Sequence, residues 1–371
     1  MDYKDLDQSA LSAFVDYDGH EIVRRFEDEK TGLIAFIAVH NTNIGPALGG
    51  CRIRPYASEQ DAIEDVLRLS RGMTYKNAAA GLPLGGGKAV VIADPYSEKT
   101  DEMIKAMGRA VETLDGQYIS AEDSGLSEDD VRLMYGETQY VTGFSDGLTG
   151  GLGGNPSPAT AHGVYCALKA TVKYKLGADT VDGLHVAIQG LGAVGYALCR
   201  ILTENGARVT ACEMREDVVE KAQEEFPALQ IVPVDSIFDV DADIFAPCAM
   251  GAQLNDLTIP RLKVDMVVGA ANNQLATMGH GQMLAERGIL YAPDYVVNAG
   301  GVIFVSYEYF QRSGKNPFDH ALNHDEMMDH VERATSSIVK IFERAERDKS
   351  LPHEAADRYA ESIFMTQSKA A

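Results

Sequence analysis

Two lysines on either side of a glycine-rich stretch have the types and spacing that point most directly to chemistry. Lys76 continues the apolar stripe of a predicted helix that begins after Ser58, and Lys88 begins KAVVIA, a predicted buried strand. The glycines at 85–87 lie between them, where backbone can approach a ligand closely. Two ammonium groups beside such backbone would bind a small anion such as a carboxylate. The alternative is a pair of surface lysines beside a turn.

A carboxylate and an apolar residue in loops are further candidates. Asp123 follows the predicted strand at 117–120, and ligands usually bind at the carboxyl ends of strands in α/β folds. It is a candidate base or lysine partner; the alternative is a turn cap. Leu48 stands in a predicted loop just before Gly49 and Gly50. Leu48 either lines a pocket or packs beneath that loop.

A dinucleotide-binding pattern occupies the middle of the chain. Strand 185–189 leads into a glycine loop, a helix and a second strand that ends in Glu213. The predicted cofactor-binding loop comprises Gly190, Gly192, Ala193, Val194 and Gly195. Glycine lets a pyrophosphate approach the helix N-terminus, and the carboxylate accepts hydrogen bonds from ribose hydroxyls. Because a carboxylate there repels a 2′-phosphate, the sequence predicts NAD rather than NADP.

Other polar residues qualify or extend this cofactor prediction. Arg215, close to the ribose-binding carboxylate, weakens the preference for NAD without overturning it. Asn272 and Asn273 end a predicted strand and suit hydrogen bonds to a polar cofactor head. Thr160 lies in the first turn of a helix that starts near Pro158.

Composition excludes several classes of function. With 371 residues, of which 45% are hydrophobic, the chain can form two domains. A formal charge of -22 argues against nucleic acid or an anionic membrane as a partner. The Gly/Ser/Pro-rich stretch at 142–158 is the predicted hinge.

Cysteine usage and the N-terminal composition predict a soluble, cytoplasmic protein. Its five cysteines are never spaced as CxxC and mostly sit in apolar runs, so they are expected to be reduced. The N-terminal residues lack an apolar signal segment. No metal is predicted, because the histidines of the C-terminal region lack an HExxH arrangement; they are His320, His324 and His330.

Eight motifs together give the chain a recognisable order. They are GPALGGCR, RGMTYKNAAAGLPLGGGK, SAEDSG, GNPSPATAHG, QGLGAVG, APCAMGA, GAANNQLA and VNAGGVI. This series resembles the glutamate/leucine/phenylalanine/valine dehydrogenase superfamily, with most likeness to the leucine dehydrogenases. The resemblance implies an α/β fold of two domains with a cleft between them. The substrate domain would hold residues 1–142 and about 342–371, and the NAD-binding Rossmann domain residues 143–341.

The resemblance also implies an activity and residue roles. It implies reversible, NAD-dependent oxidative deamination of an L-amino acid to a 2-oxo acid and ammonia, by a homo-oligomer. Lys76 matches the lysine that binds the substrate carboxylate, with glycine backbone at Gly49 and Gly50 beside it. Lys88 and Asp123 match the catalytic lysine and aspartate. Thr160 and Asn273 match residues that contact the nicotinamide half.

The substrate side chain is expected to meet an apolar pocket. Glutamate enzymes of the family carry lysine where this chain has Leu48. The expected pocket residues are Leu48, Met73, Ala121, Val302 and Val305. The valines favour leucine, isoleucine or valine over phenylalanine. A phenylalanine dehydrogenase and a catalytically silent NAD-binding relative remain the alternatives, and the segment CRIRPYAS departs from the family pattern.

Overall fold

The protein, described here from a computed structural model, consists of two compact units. The structure describes residues 1–145, 147 and 151–365. The first unit comprises Met1–Asn155, Phe304–Met327 and Ala360–Ala371, and the second Pro156–Ile303 and Met328–Tyr359. Part of the predicted hinge, at 146 and 148–150, lies outside the described residues. No helix among those described is long and apolar enough to cross a membrane.

The first unit is built on one mixed sheet with helices on its faces. Its elements in chain order are β1 (Asp2–Asp5), α1 (Gln8–Leu11), β2 (Ile22–Asp28), β3 (Leu33–Asn41), β4 (Ala47–Arg54), α2 (Glu59–Ala79), β5 (Gly85–Ile92), α3 (Asp101–Glu112), β6 (Tyr118–Glu122), α4 (Glu128–Tyr135) and β7 (Val141–Thr142). The strand order is β1-β2-β3-β5-β4-β6-β7. Strands β5, β4, β6 and β7 are mutually parallel, and the other pairs are antiparallel.

Helix α2 covers one face of this sheet and carries the predicted Lys76. Ser58 caps it, accepting a hydrogen bond from the Asp61 N–H at 3.1 Å, as the sequence predicts. Its buried Val66 and Leu67 pack with strand residues such as Val90. The apolar period of the helix therefore fixes which of its side chains meet the sheet.

The glycines that the sequence assigns to loops lie in strands instead, so that part of the prediction was wrong. Residues 85–87 open β5, and Gly49 and Gly50 lie inside β4. Glycine is uncommon in strands, which made these segments look like loops. Here the sheet has no room for side chains: a Cβ on Gly86 would lie 2.0 Å from the Thr74 nitrogen of α2.

Two glycine-to-alanine substitutions are expected to have opposite effects. Gly86→Ala forces α2 away from β5 and should destabilise the protein by about 3 kcal/mol. Gly72→Ala, in the exposed interior of α2 where nothing lies within 4 Å, should stabilise by about 0.5–1 kcal/mol. Thermal unfolding of both variants measures this. Equal midpoints would show that the helix and strand are not in the close contact described.

The second unit is a parallel sheet wound with helices on both sides. Its elements begin with α5 (Ser157–Leu176), β8 (His185–Gln189), α6 (Ala193–Glu204), β9 (Arg208–Cys212), α7 (Glu216–Glu225), β10 (Gln230–Ile231), β11 (Ile244–Pro247), β12 (Met266–Val267), α8 (Gly279–Glu286) and β13 (Leu290–Tyr291). Short 3₁₀ turns cover Val234–Asp239 and Ile259–Arg261. The strand order β10-β9-β8-β11-β12-β13 is that of a dinucleotide-binding Rossmann sheet.

The C-terminal part of the chain is helical and divides between the two units. Its helices are α9 (Asp294–Val297), α10 (Gly300–Ser313), α11 (His324–Ser336), α12 (Ile338–Asp348) and α13 (Pro352–Phe364). From Phe304 onward α10 belongs to the first unit, where the Val305 carbonyl accepts a hydrogen bond from Thr142 at 2.7 Å. The sequence expected this segment within the Rossmann domain. The contacts of α10 are with residues distant in the chain, so the sequence around the helix does not indicate which unit it belongs to.

Candidate functional site

Strand register brings the predicted catalytic pair together in the first unit. β4 lies between β5, which carries Lys88, and β6, which ends one residue before Asp123. The Lys88 ammonium and the Asp123 carboxylate form a hydrogen-bonded ion pair. Lys88 is only 6% exposed, and the carboxylate compensates the loss of water around its side chain. Two residues 35 positions apart in sequence thus share one buried contact.

Asp123 is held as an anion by its surroundings. Its Oδ1 accepts the Ser124 N–H at 2.6 Å, and a second cation, Arg52, approaches Oδ2 to 3.6 Å. Burial alone would raise the pKa of Asp123, but the charges of Lys88 and Arg52 outweigh it and lower the pKa to about 2. Asp123 is therefore ionised at neutral pH and able to accept a proton.

Backbone at the two glycines of β4 borders this ion pair. A Cβ on Gly50 would lie 2.8 Å from the Cβ of Asp123, and one on Gly49 would lie 1.8 Å from the Gly87 carbonyl oxygen. Behind them, the Tyr118 hydroxyl donates to the Gly49 carbonyl at 2.6 Å. Only glycine permits this spacing, so the strand presents bare backbone next to Lys88.

Helix α2 supplies side chains to the same region from its last turns. Lys76 lies in the last turn and is half-buried. Met73 stands one turn earlier, with its Cγ 3.0 Å from where a Cβ of Gly49 would lie. Asn77, which the sequence analysis did not select, donates to the Leu48 carbonyl at 3.2 Å and the Gly85 carbonyl at 2.6 Å. It fixes the helix end against both glycine-bearing strands.

The predicted substrate side-chain residues divide between the two units. Leu48, in β4 rather than in a loop, is 1% exposed, and Ala121 of β6 pairs with Gly50. Val305 of α10 joins them in the first unit. Val302 belongs to the second unit, and its place in the pocket stays a prediction.

The glycine loop of the second unit is close-packed at two of its glycines and open at the third. Gly190 has φ +92°, and a Cβ on Gly195 would lie 2.1 Å from the Gly190 carbonyl oxygen. Gly192 caps α6, and the space around its missing Cβ is open. Glu213 follows β9 directly, and its carboxylate accepts the Leu191 N–H at 2.9 Å. The loop and helix N-terminus would therefore fit a dinucleotide, and the contact of Glu213 with a ribose stays a prediction.

Three further predicted cofactor residues also lie in the second unit. Thr160 is in the first turn of α5, as predicted, and its Oγ1 would be 2.8 Å from a Cβ on Gly301. Asn272 and Asn273 do not end a strand, because β12 stops at Val267; that expectation was wrong. Asn273 instead sits exposed in a loop with φ +52°. An apolar run is too weak a signal to fix where a two-residue strand ends.

Comparison with known proteins identifies the family. A family model described as Glu/Leu/Phe/Val dehydrogenase, dimerisation domain, matches residues 20–140, and a second, Glutamate/Leucine/Phenylalanine/Valine dehydrogenase, matches 150–224 and 213–362. The chain belongs to the Glu/Leu/Phe/Val dehydrogenase family. This confirms the resemblance given by the sequence motifs, the two-domain α/β class and the prediction of an amino acid dehydrogenase.

Individual members of the family match nearly the whole chain. A leucine dehydrogenase of Geobacillus stearothermophilus is 48% identical over 95% of this chain and 92% of its own. A phenylalanine dehydrogenase of Lysinibacillus sphaericus is 43% identical over 94% and 89%. Among solved structures, L-tryptophan dehydrogenase from Nostoc punctiforme superimposes with a TM-score of 0.79 at 40% identity, covering 94% of this chain and 97% of that one.

Three side chains of types that can bind metals lie together in this Glu/Leu/Phe/Val dehydrogenase. They are not the C-terminal histidines considered from the sequence. Within the described residues, ligand atoms of His162, Cys166 and Glu332 lie within 4.8 Å of one another. The Cys166 sulfur is 3.5 Å from His162 Nε2, one helical turn apart on α5. Burial raises the pKa of Cys166 to about 11, so the thiol stays protonated and the contact is a neutral hydrogen bond.

Sequence reasoning missed Arg52 and Asn77, which contact site residues directly. Arg52 stands two positions after Gly50 on β4, so both lie on one face of the strand. Because the sequence predicts a loop at β4, it does not indicate which side chains share a face there. Had the glycine pair been taken as part of a buried strand, the two-residue period would have placed Arg52 beside the site.

Proposed function

We propose that this family member catalyses the reversible, NAD-dependent oxidative deamination of branched-chain aliphatic L-amino acids to 2-oxo acids and ammonia. The observation that carries the proposal is the buried Lys88–Asp123 ion pair beside the bare backbone of Gly49 and Gly50. A paired ammonium and carboxylate can exchange protons with an amine and a water. Close packing at these glycines holds the backbone beside the ion pair, where the amino acid would bind.

In this mechanism each group of the first unit has one task. Lys76, a half-buried residue at the end of α2, binds the substrate carboxylate, and Asn77 fixes this end of the helix to the strands. Asp123 accepts the proton of the substrate amine. Lys88 then activates the water that attacks the imine carbon, and Asp123 moves protons between the nitrogen and oxygen of the resulting carbinolamine.

NAD, when bound, would supply the oxidising power of the reaction as a hydride acceptor. We propose that the loop from Gly190 to Gly195 would hold its pyrophosphate and Glu213 its adenosine ribose. Thr160 and Asn273 would hold its nicotinamide half. Glu213 supports NAD rather than NADP, because a 2′-phosphate would meet a carboxylate. Arg215 Nε is 3.9 Å from that carboxylate and offsets it only in part.

The aliphatic substrate class rests on Leu48. Leu48 is apolar and 1% exposed, and it has no charge to pair with a glutamate side chain. The higher identity to a leucine dehydrogenase than to a phenylalanine dehydrogenase also favours an aliphatic side chain. A methylene changes discrimination by only about 1–3 kcal/mol, so leucine, isoleucine and valine should all be turned over.

Assembly and location form a smaller part of the proposal. The family model for the first half of the chain is described as a dimerisation domain, which supports a homo-oligomer. All five cysteines are free, four of them buried, which supports a reducing compartment such as the cytoplasm.

Initial rates of NAD reduction test this function. Purified protein is assayed at alkaline pH with L-leucine, L-valine, L-phenylalanine and L-glutamate, and with NADP in place of NAD. We expect rapid turnover of the two aliphatic amino acids, slow turnover of phenylalanine, none of glutamate and a strong preference for NAD. If phenylalanine were turned over faster than leucine and valine, the predicted aliphatic pocket would be wrong, but the proposed mechanism would stand. Absence of reduction with every amino acid would support a silent NAD-binding relative.

A further inference from the structure

Arg52 bridges the proposed catalytic carboxylate to helix α2. One guanidinium nitrogen, Nη2, lies 3.6 Å from Asp123 Oδ2, the same oxygen that receives Lys88. The other, Nη1, donates to Asp65 Oδ2 at 3.0 Å. The arginine side chain is 21% exposed. A planar guanidinium can contact two carboxylates at once, which a lysine ammonium at the end of a flexible chain does less well.

Asp65 is itself fixed in place. Its Oδ2 accepts the Tyr56 hydroxyl at 2.7 Å, and its Oδ1 accepts Arg68 at 2.7 Å. Burial would raise the pKa of Asp65, but these hydrogen bonds and the charge of Arg52 lower it, so Asp65 is an anion. The guanidinium therefore has a rigid anchor on its far side.

The anchor and the proposed substrate lysine share one face of α2. Asp65 and Lys76 are eleven residues apart, which at 100° per residue leaves them about 20° apart around the helix. The helix thus contributes Lys76 to the substrate and Asp65 to the residue that holds Asp123. Any shift of the helix would move both.

We infer that Arg52 is a positioning residue for the deamination, holding the Asp123 carboxylate at Lys88 while Asp65 fixes the guanidinium. This inference rests on the proposed function. In that reaction Lys88 must turn from Asp123 toward water and substrate. Arg52 then remains as the cation that keeps Asp123 ionised and aimed. Without it the carboxylate can follow Lys88 or turn away from the amine.

Steady-state kinetics with L-leucine test the inference. Arg52→Gln should lower kcat by about 10- to 100-fold, the loss expected from misplacing a catalytic group by about 1 Å. KM for leucine and the affinity for NADH should stay close to wild type, because Arg52 contacts Asp65 and Asp123, and neither is proposed to bind the substrate carboxylate, its side chain or the dinucleotide. Arg52→Lys should recover part of kcat, since it restores the charge but not the bridge. Asp65→Asn should give a smaller loss by releasing the guanidinium.

Arg25→Gln is the matched control. Arg25 is also ion-paired, to Glu59 and Glu27 at 2.7 Å each, but on β2 away from Asp123. Its kcat should equal that of the wild type. Wild-type kcat in Arg52→Gln would overturn the inference. So would a loss that appears only as a higher KM, which would mark Arg52 as a substrate-binding residue.

A measurement independent of turnover separates this inference from the proposed function. Thermal midpoints of Arg52→Gln, Asp123→Asn and the double variant form a double-mutant cycle. We expect the double variant to lose less than the sum of the single losses, because the two charges interact. Additive losses would overturn the inference even in a protein that oxidises no amino acid. If the wild type oxidised no amino acid and the two stability losses were still non-additive, the Arg52–Asp123 interaction would be confirmed. The proposed function would be refuted.

Discussion

Asp123→Asn is expected to lower kcat for L-leucine by about 10²- to 10⁴-fold, the usual contribution of a positioned acid or base. Asparagine keeps the size of the side chain but cannot accept the amine proton. It also leaves Lys88 and Arg52 as two cations with no carboxylate between them. Initial rates of NAD reduction measure the loss. Fluorescence titration with NADH should give wild-type affinity, because the predicted dinucleotide residues lie in the second unit.

A neighbouring carboxylate provides the control for this substitution. Glu122 ends β6 one residue earlier and is exposed, so Glu122→Gln removes the same charge without touching Lys88. Its kcat should stay near wild type. Lys88→Gln should match Asp123→Asn, because either change breaks the same pair. If Asp123→Asn kept more than about a tenth of wild-type turnover, general base catalysis by this residue would be refuted.

Much of the second unit could be predicted from local sequence, and the reason is physical. The strand at 185–189, the glycine loop and the carboxylate of Glu213 follow one another within a single supersecondary unit. Each glycine has a steric requirement visible at short range, as at Gly195 against the Gly190 carbonyl. Patterns that are complete within about thirty residues can be recognised without knowing the rest of the fold.

The first unit resisted prediction where its sheet uses glycine. β4 and the start of β5 are buried strands whose glycines are required by neighbours far along the chain, such as the Glu122 carbonyl oxygen against Gly50. Propensity therefore favoured loops. Asp123 was found because it ends an ordinary apolar strand. Arg52 was not, because its strand was read as a loop and its two carboxylate partners lie 13 and 71 residues away.

A buried ion pair on α10 is the source of the second large expected effect. Glu308 is fully buried, accepts the N–H groups of Gly143 and Phe144 at 3.1 Å, and forms a salt bridge with Arg312. Arg312 also donates to the carbonyls of Val141 and Phe144 at 3.2 Å and stacks 3.9 Å from the Phe144 ring. The first residues of the predicted hinge are thus fixed to a helix.

Glu308→Ala should destabilise the protein by about 3–5 kcal/mol, because it leaves the Arg312 charge and two backbone N–H groups buried without their acceptor. Glu308→Gln, which keeps an oxygen for the N–H groups, should lose less, about 1–3 kcal/mol. A double variant, Glu308→Leu with Arg312→Met, should recover part of the alanine loss by removing the uncompensated charge. Thermal or urea unfolding followed by circular dichroism measures all three.

Glu308→Ala should also affect the predicted substrate pocket. Glu308 lies one turn beyond Val305, whose carbonyl is bonded to Thr142, and Thr142 pairs in turn with Ala121 beside Gly50. Releasing Glu308 loosens this series of contacts, so at temperatures where Glu308→Ala is still folded, KM for leucine should rise more than kcat falls. An unchanged KM together with a large loss of stability would mean that the Glu308–Arg312 ion pair supports only the fold and does not affect the substrate pocket. If Glu308→Ala lost no more stability than Glu308→Gln, that result would contradict the explanation that the uncompensated Arg312 charge causes the loss.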